Sequence, residues 1–306
     1  MLELPRAAAG LVAKVKDRVK SAPPEVKAAA EPTKETPKQK TSDDSFQDPP
    51  SKAKFDFAAE GAKPGVVEIS VPDSASAESV KINHADDVLI KKGQIGQYEV
   101  AALERMKDTG FVPELKGVKY DSSGVPRTVP EDVGGHVLER RGQLAMGIAP
   151  GKPVEAILGK NKDQDEIIAN KLVLARMEMH LRDIAHNDMH ELNVFFDPKN
   201  GKLTLIDMGF AQINPKAALI EALGYHTEMD FPGESLLARG ANGMYVQKLY
   251  DNSGRVLEKL HARGYHRNNV FNMITVRSSP AVLDQYLGTM TDDEARQYIK
   301  EIYQGI

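Results

Sequence analysis

The feature that most constrains this chain lies between residues 186 and 209, where two acids flank a predicted hairpin. The first part reads His186-Asn-Asp188-Met-His190-Glu-Leu-Asn193, with four residues separating Asp188 from Asn193. Apolar runs at Val194–Asp197 and Lys202–Asp207 then predict two strands joined across Pro198-Lys-Asn-Gly201, whose Asn-Gly pair favours φ > 0. The second strand ends on Leu205-Ile-Asp207-Met-Gly209, nineteen residues after Asp188. Taken singly, Asp188 and Asp207 read as an ordinary loop acid and a strand-end turn acid. With Asn193 and the intervening hairpin they read together as a place where chemistry is done. A second chemistry draws on the same stretch. His186, Asp188 and His190 suit a metal-hydrolase cluster, since imidazole and carboxylate bind zinc, manganese or iron. That reading leaves Asn193 and Asp207 without roles.

The rest of the chain supplies the setting. Its 306 residues suffice for one large two-lobed domain or two ordinary ones. The absence of cysteine excludes disulfides and thiolate metal sites and fits a reducing cytosol. A net charge of −4 gives no general nucleic-acid affinity, so no nucleic-acid partner is expected. No apolar run approaches the roughly 20 residues of a membrane span, and Met1-Leu-Glu-Leu-Pro5 lacks the form of a cleaved signal peptide. Residues 1–54 hold 7 of the 18 prolines and a net positive charge from 11 basic and 8 acidic residues. They read as a disordered tail or linker, with a short amphipathic helix over about 4–20 through Leu11, Val12, Val15 and Val19. The plain reading is a solvated tail, and the sharper one is a delivery or docking segment.

From Phe55 onward the pattern is more regular. Phe55–Phe57, Gly65–Val71 and Ser79–Ile82 read as strands. A helix follows, with Tyr98, Ala101, Ala102, Leu103 and Met106 on one face, stopped by Gly110 and Pro113. His136–Arg140 and Gln143–Ile148 read as strands about a tight Arg141-Gly142 turn. After Pro150-Gly151 the chain turns helical, with a long helix over Asp165–Ile184 and mostly helices from about 215 to 306. A strand-rich half and a helix-rich half joined at a Pro-Gly break predict two lobes with a cleft between them.

The two motifs resemble those of the protein-kinase-like superfamily, the catalytic loop H-R-D-x-x-x-x-N and the metal-binding D-F-G. The resemblance implies an α+β, bilobal fold with an antiparallel-sheet N-lobe carrying one main helix (55–148) and a mostly helical C-lobe (149–306). It also implies ATP and Mg²⁺. Asp188 would orient and deprotonate the acceptor hydroxyl, and Asn193 and Asp207 would hold metal. The third-strand lysine of V-A-I-K is matched by Lys81 in Ser79-Val-Lys81-Ile82, and its helix glutamate by Glu99 in Tyr98-Glu99-Val-Ala-Ala-Leu103. Lys91 and Lys92 are the competing lysines and Glu104 the competing acid; both lysines are expected near or inside the helix, on a solvated face. Glu60-Gly61-Ala-Lys-Pro-Gly65 is similar to the Gly-rich phosphate loop, with Ala59 in place of its first glycine and one residue too many. Met146 would control access behind the adenine, with Gly147, Ile148 and Ala149 as the hinge that bonds its edge.

The departures bear on substrate. H-x-D-x-H-x-x-N, with His190 where protein kinases place a lysine, is typical also of aminoglycoside and choline phosphotransferases and sugar-lipid kinases. Met208 replaces the phenylalanine of D-F-G. Phe231-Pro-Gly-Glu234, where A-P-E is expected, matches poorly. The favoured expectation is a bacterial protein serine/threonine kinase of the effector type, cytoplasmic or exported through an uncleaved N-terminal segment. The alternatives are a small-molecule or sugar kinase and an ATP-binding pseudokinase.

Overall fold

In the computed structural model the chain divides into Met1–Ser45 and Phe46–Ile306. The structure describes residues 55–70, 77–121, 127–128, 138–224, 242–265, 283 and 287–306, all in the second unit. The expectations for residues 1–54 and for Phe231–Glu234 lie outside the described residues.

The fold is α+β and bilobal in the protein-kinase-like manner. An antiparallel sheet with one main helix comes first, and a mostly helical part follows. The sheet comprises β1 (Val67–Ser70), β2 (Ala77–Asn83), β3 (Val88–Gly96), β4 (Leu115–Tyr120), β5 (Arg127–Thr128) and β6 (Leu138–Met146). The spatial order is β1-β2-β3-β6-β4, with β5 added on β6. The long strands β3 and β6 run antiparallel from Leu89↔Met146 to Gly96↔Glu139 and form the spine of the sheet.

Helix α2 (Gln97–Met106) follows β3 directly and is preceded in the chain by the short α1 (Phe57–Gly61). Its apolar face, Val100, Ala102, Leu103 and Met106, is buried in the main core, as the periodicity of the sequence requires. The Glu99 carboxylate accepts from the Gly96 N–H at 3.3 Å, which satisfies one backbone donor at the helix start, at the end of β3.

Three local expectations are corrected. Phe55–Phe57 is not a strand: the Asp56 carboxylate accepts from the N–H groups of Ala58 and Ala59 and caps α1. Phe55 and Phe57 instead pack edge to face over Val88, Ile90 and Ala145. Arg141-Gly142 is no turn, because β6 runs unbroken through it between β3 and β4. Gly142 serves close approach there, since a Cβ would lie 2.4 Å from the Lys119 carbonyl oxygen. Finally, Lys91 and Lys92 lie on strand β3 and not in or beside a helix.

The second part is built on α3 (Lys162–His180), begun by an Asn161 cap. The expected hairpin forms as β9 (Val194–Asp197) and β10 (Lys202–Leu205), paired Asp197↔Lys202 about Gly201 at φ +66°. The short β7 (Lys152–Pro153) adds to β9, while β8 (Ile184–Ala185) pairs with β11 (Gln212–Ile213). Helix α4 (Pro215–Leu223) is buried at every position. Helices α5 (Met244–Ala262) and α6 (Asp292–Ile302) pack around it. No helix among the described residues is long and apolar enough to cross a membrane.

Candidate active site

Strand β3, helix α2 and the turn after β10 bring one buried cation to two carboxylates. Lys91 Nζ lies 2.9 Å from Glu99 Oε1 and 3.5 Å from Asp207 Oδ1. The ammonium is 9% exposed and Glu99 2%. Burial alone would lower the Lys91 pKa, but the two carboxylates overcome it and hold the ammonium well above its ordinary value. Burial pushes the Glu99 carboxyl up, as does the charge of Asp207, while Lys91 and the Gly96 N–H pull it down. Two carboxylates therefore share one buried cation.

The expected pairing of Lys81 with Glu99 is corrected here. Lys81 lies on β2 and pairs with Glu68 at 3.4 Å in a largely exposed contact across the β1–β2 ladder. The reason is the count of strands. Val88–Gly96 is itself the third strand, and it runs straight into the helix that carries Glu99. A contiguous strand and helix place Glu99 only eight positions after Lys91. The signal that could have found it is the run Val88-Leu-Ile-Lys91, which repeats the V-A-I-K pattern more closely than Ser79–Ile82 does.

The turn that carries Asp207 is held against the first part of the fold. Asp207 adopts left-handed backbone angles, φ 56° and ψ 65°, and starts a single 3-10 turn over Met208–Phe210. The Gly209 carbonyl reaches Gly96 so closely that a Cβ on Gly96 would lie 2.6 Å from its oxygen. Met208, buried, belongs to the main core in the position where phenylalanine was expected.

The loop of Asp188 is pinned from several sides. Asn193 Nδ2 donates to the Asp188 carbonyl at 2.9 Å and to its carboxylate at 3.2 Å, and its amide oxygen takes no part in either bond. The Ile206 N–H donates to the Asn193 carbonyl at 2.9 Å, so the Asp188–Asn193 loop and the segment leading to Asp207 are directly tied. His186 accepts from the Asp188 N–H on Nδ1, so Nε2 carries the proton and donates to the Ile206 carbonyl at 3.0 Å. Both imidazole nitrogens are thereby used, which removes His186 from the metal-hydrolase cluster considered above. His190 likewise accepts from the Leu192 N–H on Nδ1, and its Nε2 stands 3.8 Å from the Asp188 carboxylate.

Beneath the loop, the buried Glu221 of α4 accepts from the His186 N–H at 2.7 Å and the Asn187 N–H at 3.3 Å. Burial would raise this carboxyl, but the hydrogen bond from His180 and the charge of Arg176 hold it at about 2. Nothing in the Leu219-Ile-Glu-Ala222 run marks Glu221 in the sequence as an acid buried to hold backbone amides.

Of the remaining expected site residues, Met146 ends β6 and Gly147, Ile148 and Ala149 follow it as the connection to the second part. The Gly147 N–H donates to the Glu114 carbonyl and the Ile148 N–H to Asp87. The Ala149 N–H has no hydrogen-bond partner among the described residues. Gly61 and Gly65 are not in the β1–β2 hairpin. They sit before β1, in α1 and the turn after it, where Gly61 packs near Lys81. The loop joining β1 to β2 is residues 71–76, outside the described residues.

The donor set fits Mg²⁺. The Asn193 amide oxygen and the Asp207 carboxylate are hard oxygen donors, few enough for an ion that also keeps phosphate oxygens and water. Among the described residues no group of three or more histidines and acids converges on one point.

The sheet order, the single helix after β3 and the helical second part give a protein-kinase-like fold, in which Lys91, Glu99 and Asp207 meet beside the loop that carries Asp188. No family model matches the chain, and no curated protein matches it. Among solved structures it is similar to a kinase of the Cydia pomonella granulovirus, PK-1, at 17% identity and a TM-score of 0.36. The alignment covers 49% of this chain and 53% of that one, about half the length of the viral protein.

Proposed function

We propose that the chain is an ATP- and Mg²⁺-dependent phosphotransferase acting on a hydroxyl acceptor. The observation that carries this reading is the Lys91–Glu99–Asp207 cluster, assembled from a strand, a helix and a turn 116 residues away from Lys91. A buried ammonium held between two carboxylates has no stabilising advantage over apolar packing, so its retention argues for a ligand. Lys91 neutralises phosphate charge, and Glu99 keeps it aimed. Asp188 orients the acceptor and takes its proton. Asn193, locked to Asp188 through Nδ2, would hold the ion through its amide oxygen, and Asp207 would hold it through its carboxylate. When bound, Mg²⁺ offsets the charge on the phosphate oxygens. The unpartnered Ala149 N–H and the Gly147 carbonyl supply the adenine edge, behind which Met146 sits.

A serine or threonine hydroxyl on a protein is the favoured acceptor, with residues 1–54 as a docking or export segment. A second reading has a specific observation behind it. Helix α4 begins at Pro215, only eight residues after Asp207, so no long segment separates the metal-type acid from the helical core. That compactness, with His190 beside Asp188, supports a small-molecule acceptor. The test is phosphate transfer from γ-labelled ATP to the protein itself, to a generic protein and to a panel of amino-sugar and choline-type alcohols. Wild type is compared with Asp188→Ala and Asp207→Ala. Labelling lost in both variants supports the reading, and the labelled arm identifies the acceptor class. Labelling that survives both substitutions overturns it. Nucleotide binding without transfer to any acceptor would make the chain a pseudokinase.

A further inference from the structure

Three helix ends meet behind the catalytic-type loop in a buried polar chain that the proposed reaction does not use. His180 closes α3, Glu221 lies near the end of α4, and Tyr303 caps α6. His180 is fully buried, with Nδ1 2.6 Å from the Tyr303 hydroxyl and Nε2 3.1 Å from Glu221 Oε2. A carboxylate can only accept, so Nε2 carries the ring proton and Nδ1 accepts from the phenol. Burial lowers the His180 pKa and raises that of Tyr303, which keeps the ring neutral and the phenol protonated. Arg176, one turn before His180, donates to the Glu221 carbonyl at 2.6 Å.

The far end of this chain is the loop itself. The oxygen of Glu221 that His180 holds is also the one that accepts the His186 N–H at 2.7 Å. His186 in turn bridges the Asp188 N–H and the Ile206 carbonyl. An unbroken series of hydrogen bonds therefore runs from the Tyr303 phenol to the backbones that carry Asp188 and Asp207. A fully buried polar series is expensive to keep unless each member is satisfied.

Resting on the phosphotransferase reading, we infer that Tyr303 and His180 are positioning residues: they fix the rotamer of Glu221 and so set the loop that orients Asp188 and Asp207. Neither touches a reactant. The phenol sets the histidine tautomer, the tautomer presents one N–H to the carboxylate, and the carboxylate is left with its remaining lone pairs on the loop amides. Without the phenol, His180 can take the other tautomer and confront Glu221 with a lone pair.

The test compares Tyr303→Phe with Tyr298→Phe in the full chain. Tyr298 lies on the same helix, and its hydroxyl bonds Arg263 at 2.9 Å, away from the loop. Amide exchange over residues 184–190 and steady-state transfer kinetics are both measured. Tyr303→Phe should speed exchange of the His186 and Asn187 amides at least 5-fold. It should also lower kcat about 5- to 30-fold, with KM for ATP within twofold. Tyr298→Phe should leave both within twofold. Equal effects of the two variants, or unchanged exchange in Tyr303→Phe, would overturn the inference. If the wild type transfers no phosphate, the functional reading fails while the exchange comparison still decides whether Tyr303 holds the loop.

Discussion

Replacing Lys91 by methionine keeps the unbranched stem and deletes the charge, which separates two consequences of the same contact. The first is structural. Glu99, 2% exposed, would keep only the Gly96 N–H, at 3.3 Å, while facing Asp207 across the space the ammonium filled. Breaking a buried pair by removing one partner costs about 3–5 kcal/mol, a large share of a domain's total of about 5–15 kcal/mol. Lys91→Met alone should therefore lower the melting temperature sharply. Adding Glu99→Gln removes the orphaned charge, and most of the loss should return. The second consequence is catalytic and should not return. A cation lost from a phosphate site is comparable to a lost oxyanion donor, worth about 100-fold or more in kcat. Lys81→Met is the internal comparison, because its exposed bond to Glu68 is worth at most about 1 kcal/mol. It should leave transfer within twofold. The assay is transfer from γ-labelled ATP alongside thermal melting of all four proteins. The reasoning is refuted if Lys91→Met/Glu99→Gln transfers at the wild-type rate, or if Lys81→Met is the variant that abolishes transfer.

Other outcomes follow from single contacts. Gly96→Ala would place a Cβ 2.6 Å from the Gly209 carbonyl oxygen, about 0.8 Å inside ordinary contact, and must push β3 and the Asp207 turn apart. We expect a loss of about 1–3 kcal/mol and at least a 10-fold fall in transfer, read by melting and kinetics on the same sample. Gly142→Ala meets the Lys119 carbonyl at 2.4 Å in the sheet centre, away from the cluster. It should cost a similar amount in denaturant unfolding yet leave the activity of the folded fraction intact. Stability should also fall as the pH drops below about 6.5, because the unfolded chain protonates His180 there while the folded chain keeps it neutral. The loss is limited to about 1.4 kcal/mol per pH unit, and urea titrations of His180→Gln should show a flatter slope. Below the ordinary carboxyl range a second loss begins and runs down to about pH 2, as the unfolded chain binds a proton that folded Glu221 refuses.

The sequence determined those features whose physics is local. The Asp188–Asn193 spacing and the Asn200-Gly201 turn are close in the chain, and the structure builds the expected hairpin about that turn, its second strand stopping at Leu205, two residues short of Asp207. Ala102, Leu103 and Met106 on the apolar face of α2 and the break at Pro150-Gly151 were equally legible, because helix periodicity and Pro-Gly punctuation act over a few residues. Pairing between distant charges was not. Lys81 and Lys91 both sit in apolar strand patterns, and only the sheet order decides which of them faces Glu99. Gly142 illustrates the same limit: an Arg-Gly pair reads as a turn until a neighbouring strand demands space for its carbonyl. Glu221 and Tyr303 lie 35 and 117 residues from His186, and no local pattern marks them. Their roles arise because α3, α4 and α6 end at one buried point, where every polar group must find a partner within the protein. Burial of that kind is a property of three-dimensional packing alone.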